Sequence, residues 1–227
     1  MNELEYSIDN INARSIFVSI KKNIYLSIKR LFDIVLSLIG IAFLIPISLV
    51  IKIAYMIDKD YDSIFYTQDR VGKDGRIFRL YKFRSMIPNA DEELKRILKK
   101  NKRMAKEYKI NKKLKNDPRI TKIGKIIRRL SIDELPQLIN ILKGDMTFIG
   151  NRPYLPREIE DMGEFYDDIV KTKPGLTGFW QVSGRSDVSF DYRLELEKYY
   201  SNHCGLKIDI KIFLKTFKAV FGCKGAK

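Results

Sequence analysis

The sequence predicts a mostly helical α+β fold, in which one Pro-broken re-entrant membrane helix precedes a small cytoplasmic domain carrying a β-hairpin and amphipathic interfacial helices. Three observations predict it. Residues 34–51, IVLSLIGIAFLIPISLVI, contain no charge and are interrupted by Pro46. Residues 63–83, SIFYTQDRVGKDGRIFRLYKF, alternate aromatic and polar side chains on either side of Lys73-Asp74-Gly75-Arg76, a hairpin pattern. Residues 91–115 and 210–221 repeat apolar side chains at helical spacing among lysines.

The uncharged run only just reaches the lower length limit for a bilayer-spanning helix. Its leg before Pro46 would extend about 18 Å as helix, against a hydrocarbon core of roughly 30 Å. Lys21, Lys22, Lys29 and Arg30 precede the run, and Lys52 and Lys59 follow it. By the positive-inside tendency both ends belong on the cytoplasmic side, which a helix kinked at Pro46 satisfies. A straight span and the buried core helix of a soluble protein are the alternatives. Residues 1–23 read as an N-terminal tail, 24–58 as the membrane helix and 59–227 as the cytoplasmic domain. The first twenty residues lack the apolar core and cleavage site of a signal peptide.

In the cytoplasmic part, the stripe Leu94, Ile97, Leu98, Met104 or Ala105, and Tyr108 reads as one basic amphipathic helix suited to an anionic bilayer surface. Residues 116–119, NDPR, read as a turn. The stripe Ile210, Phe213, Leu214, Phe217, Val220 and Phe221 reads as a second such helix, although core packing explains it equally well.

A formal charge of +15 calls for a polyanionic partner: nucleic acid, anionic lipid or a phosphorylated substrate. A solvated helix face explains part of that charge as simply. Chemistry is narrowed by what is scarce. His203 is the only histidine, and Cys204 and Cys223 are the only cysteines, which fits a reducing compartment and leaves little for His-based triads or zinc sites. Any acid, base or nucleophile is therefore expected to be a carboxylate.

Asp133 and Glu134, in RRLSIDELPQL, are the pair that fits. Ser131 and Glu134 have the spacing of a capping box, and Pro136 makes Asp133 an alternative N-cap. A carboxylate at a helix start near phosphate-binding groups can equally serve catalysis. Two further stretches carry turns and cations: KGDMTFIGNRP, where Gly144 ends a helix, and KPGLTGFWQVSGR.

Taken in order, the broken apolar helix, QDRVGKDGRIFRLYKFRSM, DPRITKIGKIIRRLSIDELPQLINILKGDM, GNRP, PGLTGFWQVSGR and LKIDIKIFLKT resemble the bacterial sugar transferases, the monotopic phosphoglycosyl transferases. The resemblance spans residues 25–221. It implies transfer of a sugar-1-phosphate, of a hexose by the WQVSGR form, from a UDP-sugar to undecaprenyl phosphate. The reaction would pass through a covalent aspartyl phosphosugar, use Mg²⁺ and release UMP. It would initiate surface polysaccharide or glycoconjugate assembly at the cytoplasmic face of a bacterial inner membrane, with anionic lipid as a further partner and a homodimer left open.

By the same resemblance Asp133 is the nucleophile, Glu134 assists it, and both are Mg²⁺ ligands. Arg128 grips phosphate; Arg152 and Pro153 belong to a nucleotide-binding element. Lys82, Arg84, Asp209, Gln181 and Arg185 are further substrate- or phosphate-binding candidates, and Pro46 is the membrane break. Three residues depart from the family pattern. Asn151 replaces a proline, Glu197 replaces an aspartate, and Ile45 replaces a serine before Pro46, so that Ser48 or Ser37, or lipid headgroups and water, would have to satisfy the freed carbonyl. A membrane-tethered nucleic-acid-binding protein and an inactive assembly scaffold are the competing readings. Aromatics are not interleaved with the basic residues 95–129, and no known nucleic-acid-binding motif is present, so nucleic acid is not an expected partner.

Overall fold

A computed structural model describes residues 3–111, 114–184 and 188–221. The chain opens with a single helix, α1 (Glu3–Ile57), so the segment expected to be a tail is helical from Glu3 onward. No glycine or proline precedes Gly40, and nothing local stops the helix there. Pro46 lies inside α1 without ending it. The serines do not act as expected. Ser48 Oγ donates to Leu44 O at 2.7 Å, not to the Ala42 carbonyl that proline leaves free, and Ser37 Oγ is buried without a partner. Packing sustains the helix instead: Leu44, Ile47, Ile51 and Tyr55, on both sides of Pro46, enter one apolar cluster with Ile64, Phe83 and Ile127.

That stripe is one face of α1. Most of the remaining surface is apolar and exposed, with Ile45 at 70% and Ile57 at 78% of full exposure. The helix is thus not the buried core helix of a soluble protein. From Ser19 to Ile57 it is long and apolar enough to cross a membrane by length and composition.

The hairpin forms as the alternation predicts. Strands β1 (Phe65–Val71) and β2 (Ile77–Phe83) pair antiparallel, in a register running from Phe65 opposite Phe83 to Val71 opposite Ile77. Asp74 (φ 56°) and Gly75 (φ 75°) reverse the chain between them. The single helix expected over residues 91–115 is two, α2 (Ala90–Lys100) and α3 (Lys102–Asn111). Asn101 breaks it by leaving helical geometry, and its Oδ1 accepts the Met104 N–H at 3.1 Å, as a capping asparagine does. The NDPR turn forms, and it holds an ion pair of 2.6 Å between Asp117 and Arg119, both buried.

Helices α4 (Lys122–Arg129) and α5 (Gln137–Lys143) follow, the latter stopped by Gly144 at φ 91° as expected. Leu138 and Ile141 of α5 join Leu80 and Met146 in a second apolar cluster, against which Ile41 of α1 packs. Strand β3 (Thr147–Ile149) then pairs in parallel with β4 (Gly175–Thr177) across the short helices α6 (Ile159–Met162) and α7 (Tyr166–Ile169). Helices α8 (Phe190–His203) and α9 (Leu206–Phe221) complete the described chain. On α9, Ile210, Phe213, Leu214 and Phe217 are exposed while Asp209 and Ile212 are buried, so the apolar stripe read from the sequence is not the packed face. The side chains of Val220 and Phe221 lie outside the described residues.

Candidate active site

The dyad sits in the link between α4 and α5. Thr121 caps α4 by accepting the Gly124 N–H at 2.8 Å, and Gly124 lies flat against the end of β2: a Cβ there would stand 1.9 Å from Ser85 O. One turn later, Arg128 Nε reaches Ser85 Oγ at 2.8 Å. The chain then turns at Ser131, in left-handed geometry (φ 55°), and makes a short 3₁₀ turn over Ile132–Glu134.

This geometry corrects the capping expectation. The Ser131 side chain makes no cap hydrogen bond, and the N-cap position of α5 falls on Pro136, not on Asp133. The reason is apolar packing: Ile132 and Leu135 turn into the cluster around Phe83 and Ile127, which fixes a 3₁₀ turn instead of a standard helix start. Both carboxylates are therefore free of capping duty.

Lys82 on β2 donates to Glu134 Oε1 at 3.0 Å. The fully buried Asn140 of α5 holds that strand in place just before Lys82, accepting the Tyr81 N–H at 3.0 Å and donating to Arg79 O at 2.7 Å, on either side of Leu80. Burial pushes the Asp133 carboxyl up; the Lys82 ammonium opposes this and the neighbouring Glu134 charge adds to it. Burial also acts to raise Glu134, but Lys82, with Arg152 and Arg70 beyond it, outweighs that and holds this carboxyl below its usual value. Two adjacent acids are thus pushed apart, Glu134 ionised and Asp133 the more basic.

Arg152 approaches from the loop after β3. Its backbone N–H is held by both carboxylate oxygens of Glu197 on α8, at 3.0 and 2.8 Å. Its guanidinium lies 5.9 Å over the Trp180 ring, and Pro153 O accepts from Arg70 at 2.9 Å. Asn151 ties the same loop down by donating to Ile169 O, Thr172 Oγ1 and Ser201 Oγ at 3.1, 3.3 and 2.6 Å. Gln181 lies in the turn after β4, close to Gly178. Arg185 lies outside the described residues.

Two candidates are occupied elsewhere. Arg84 grips both oxygens of Asp60 at 2.8 and 2.9 Å, donates to Ser63 O at 2.7 Å and stacks 4.6 Å over Tyr55. It clamps the end of α1 to β2 and has little left for phosphate. Asp209 accepts from Lys29 and Tyr25 at 2.6 Å and from Tyr200 at 2.8 Å, which joins α9 to α1 and α8. Sequence reasoning missed Asn140, Arg70 and Arg193. Arg70 in QDRVG, a cation inside an alternating strand, was the signal available for one of them.

An ionised acid, a more basic one and a surround of cations make a carboxylate-centred site suited to an anionic ligand. The family described as bacterial sugar transferase matches residues 24–223, and the chain belongs to it. It is 44% identical over 199 residues to an undecaprenyl-phosphate galactose phosphotransferase of Salmonella typhimurium and, to the same extent, to a UDP-galactose-lipid carrier transferase of Erwinia amylovora. These alignments cover 88% of this chain and 41% of each relative, so the chain spans about two fifths of their length. An exopolysaccharide production protein ExoY of Sinorhizobium fredii is 38% identical over 201 residues, 87% of both chains.

Proposed function

We propose that the protein transfers a sugar-1-phosphate from a UDP-sugar to undecaprenyl phosphate and so initiates polysaccharide assembly; the names of two relatives make UDP-galactose the first donor to test. The observation that carries this reading is the uncapped Asp133, whose carboxyl burial raises, beside a Glu134 bonded to Lys82. A carboxylate oxygen of Asp133 attacks the sugar-bearing phosphorus, the bond to the bridging oxygen breaks, and UMP leaves. The undecaprenyl phosphate oxygen then attacks the same phosphorus, the aspartyl O–P bond breaks, and the carboxylate is restored. Lys82, bonded to Glu134, and Arg128, bonded to Ser85, are the cations this reading assigns to balancing charge on the transferred phosphate.

The residues present fit Mg²⁺. Among the described residues no group of three metal ligands exists, and Mg²⁺ characteristically takes one or two carboxylates and completes its shell with substrate phosphates and water. Asp133 and Glu134 would hold it, and when bound it would neutralise phosphate charge.

The contacts of α1 support a re-entrant, cytoplasmic-face arrangement. On one side of the apolar run, Lys29 reaches Ile149 O at 2.7 Å, Arg30 caps α5 through Ile141 O and Leu142 O at 2.6 and 2.7 Å, and Asp33 accepts the Phe148 N–H at 2.9 Å. On the other side, Tyr55 reaches Arg84 O at 2.6 Å. All these partners belong to one polar body, which a transbilayer helix would have to hold across roughly 30 Å of hydrocarbon. The exposed apolar stripe of α9, among Lys207, Lys211, Lys215 and Lys218, suits an anionic bilayer surface next to α1.

The test is UMP release from UDP-galactose and undecaprenyl phosphate in nanodiscs, with Mg²⁺ and with chelator, alongside intact-protein mass after donor alone. The reading requires a galactose-phosphate adduct on the wild type, and loss of adduct and turnover in Asp133→Asn. Normal UMP release by folded Asp133→Asn would sink it.

A further inference from the structure

Five donors without an acceptor surround the Arg152 loop. The Nε atoms of Arg70, Arg152 and Arg193, the indole N–H of Trp180 and the hydroxyl of Tyr154 are each shielded from solvent and have no hydrogen-bond partner. They are neighbours. Arg70 bonds to Pro153 O, between Arg152 and Tyr154, and the guanidinium groups of Arg193 and Arg152 lie 4.5 and 5.9 Å over the Trp180 ring.

The acids close by do not answer them. Glu158 accepts the Leu155 N–H at 2.7 Å, and Glu197 is turned to the backbone of Arg152, so among the described residues none of the three arginines makes an ion pair. Burial pushes the Glu197 carboxyl up to about 8, so near neutral pH it adds little negative charge. Burial and the Arg152 charge push Arg70 down to about 10 and act on Arg193 in the same direction. A buried donor without an acceptor is costly to keep. Five together, three of them cationic, describe a cradle that an anion completes.

The position selects the anion. Arg152 and Arg70 both act on Glu134, whereas Arg128, held by Ser85, acts on Asp133, so two distinct sets of cations reach the dyad. A nucleoside diphosphate sugar presents two phosphates, one transferred and one retained by the nucleotide. We propose that Arg70 and Arg193 join Arg152, Trp180 and Tyr154 in binding the phosphate that stays with the nucleotide, leaving Arg128 and Lys82 to the one that moves. This assignment rests on the transferase reading above.

The experiment is calorimetric titration of the full chain in nanodiscs with UDP, UMP and uridine, together with the KM for undecaprenyl phosphate. Arg193→Gln should weaken UMP and UDP by the same factor, about tenfold or more for a lost charge-assisted contact. Uridine affinity and the acceptor KM should not change. If Arg193→Gln does not fold, Arg193→Lys and Arg70→Lys supply the same comparison, since an ammonium keeps the charge and loses the fork. Unchanged UMP affinity, a loss for UDP alone, an equal loss for uridine, or a raised acceptor KM alone would each overturn the assignment. Wild-type UMP binding without turnover would defeat the transferase reading and leave the cradle standing, whereas normal turnover with undiminished UMP binding in Arg193→Gln would do the reverse.

Discussion

Glu197 on α8 accepts the backbone N–H of Arg152 with both carboxylate oxygens, at 3.0 and 2.8 Å, and is itself 1% exposed. The resemblance read from the sequence implies a shorter aspartate here. The longer side chain lets an acid on a separate helix reach the loop backbone, so the loop carrying Arg152 is pinned from below while its guanidinium stays available.

That buried acid gives the fold a pH dependence with a definite sign. Its folded pKa, raised to about 8, lies above its unfolded value, so the native state binds the extra proton. Stability is full below the unfolded pKa and falls as pH rises through the interval up to about 8. Glu197→Gln mimics the protonated acid and should flatten that decline, with unfolding temperatures that meet the wild type at low pH and exceed it near pH 8. Glu197→Asp should weaken nucleotide binding, since the shorter acid withdraws from Arg152. An unchanged pH profile in Glu197→Gln would show that Glu197 is not the titrating group.

Lys82→Met tests how the dyad is tuned. Lys82 is the leading counterweight to burial at Asp133 and the direct partner of Glu134. Without it both carboxyls should rise, and the acidic limb of kcat/KM should move to higher pH, with a loss of about tenfold or more at neutral pH. A limb that stays in place while the rate falls would mean that Lys82 only binds substrate.

For Arg84, the prediction is structural. Arg84→Gln leaves Asp60 without its partner where α1 meets β2, and breaking such a pair costs about 3–5 kcal/mol when buried, less here because Asp60 is partly exposed. Denaturant titration should register that loss, while KM values of the folded fraction stay near wild type. A raised nucleotide KM without destabilisation would restore the phosphate-contact role.

The contrast between Arg84 and Arg128 shows how far the sequence could be read. Both are arginines near apolar runs, and what separates them is Asp60, twenty-four residues from Arg84, against a lone Ser85 hydroxyl. Partners of that kind are set by tertiary packing and leave no local signal. The hairpin and the stop at Gly144 were legible because alternation and a left-handed glycine act within a few residues. The parallel pair β3 and β4 was not, since three-residue strands carry no periodicity. The capping box at Ser131 had the right spacing, but Ile132 and Leu135 are drawn into a core that no local pattern describes. The dyad was singled out by residue type and given its catalytic role by the family resemblance, and its freedom from capping is visible only in the geometry.

The last prediction concerns the membrane. Lys29, Arg30 and Asp33 at one end of the apolar run and Tyr55 at the other all bond to the same polar body, so both ends of α1 should face the cytoplasm. Single cysteines at Asn12 and Lys99, in a background lacking Cys204 and Cys223, should both resist a membrane-impermeant thiol reagent in intact cells and react after lysis. Asp33→Leu removes the acceptor for Phe148 N–H and Thr147 Oγ1, which lie 2.9 and 3.0 Å away, and makes the helix more apolar, so it should loosen the N-terminal half of α1 from β3. If those bonds hold the re-entrant form against a span, this variant should show external labelling at Asn12 while Lys99 stays protected. External labelling at Asn12 in the otherwise native chain would establish a conventional span and remove the structural basis for the monotopic arrangement.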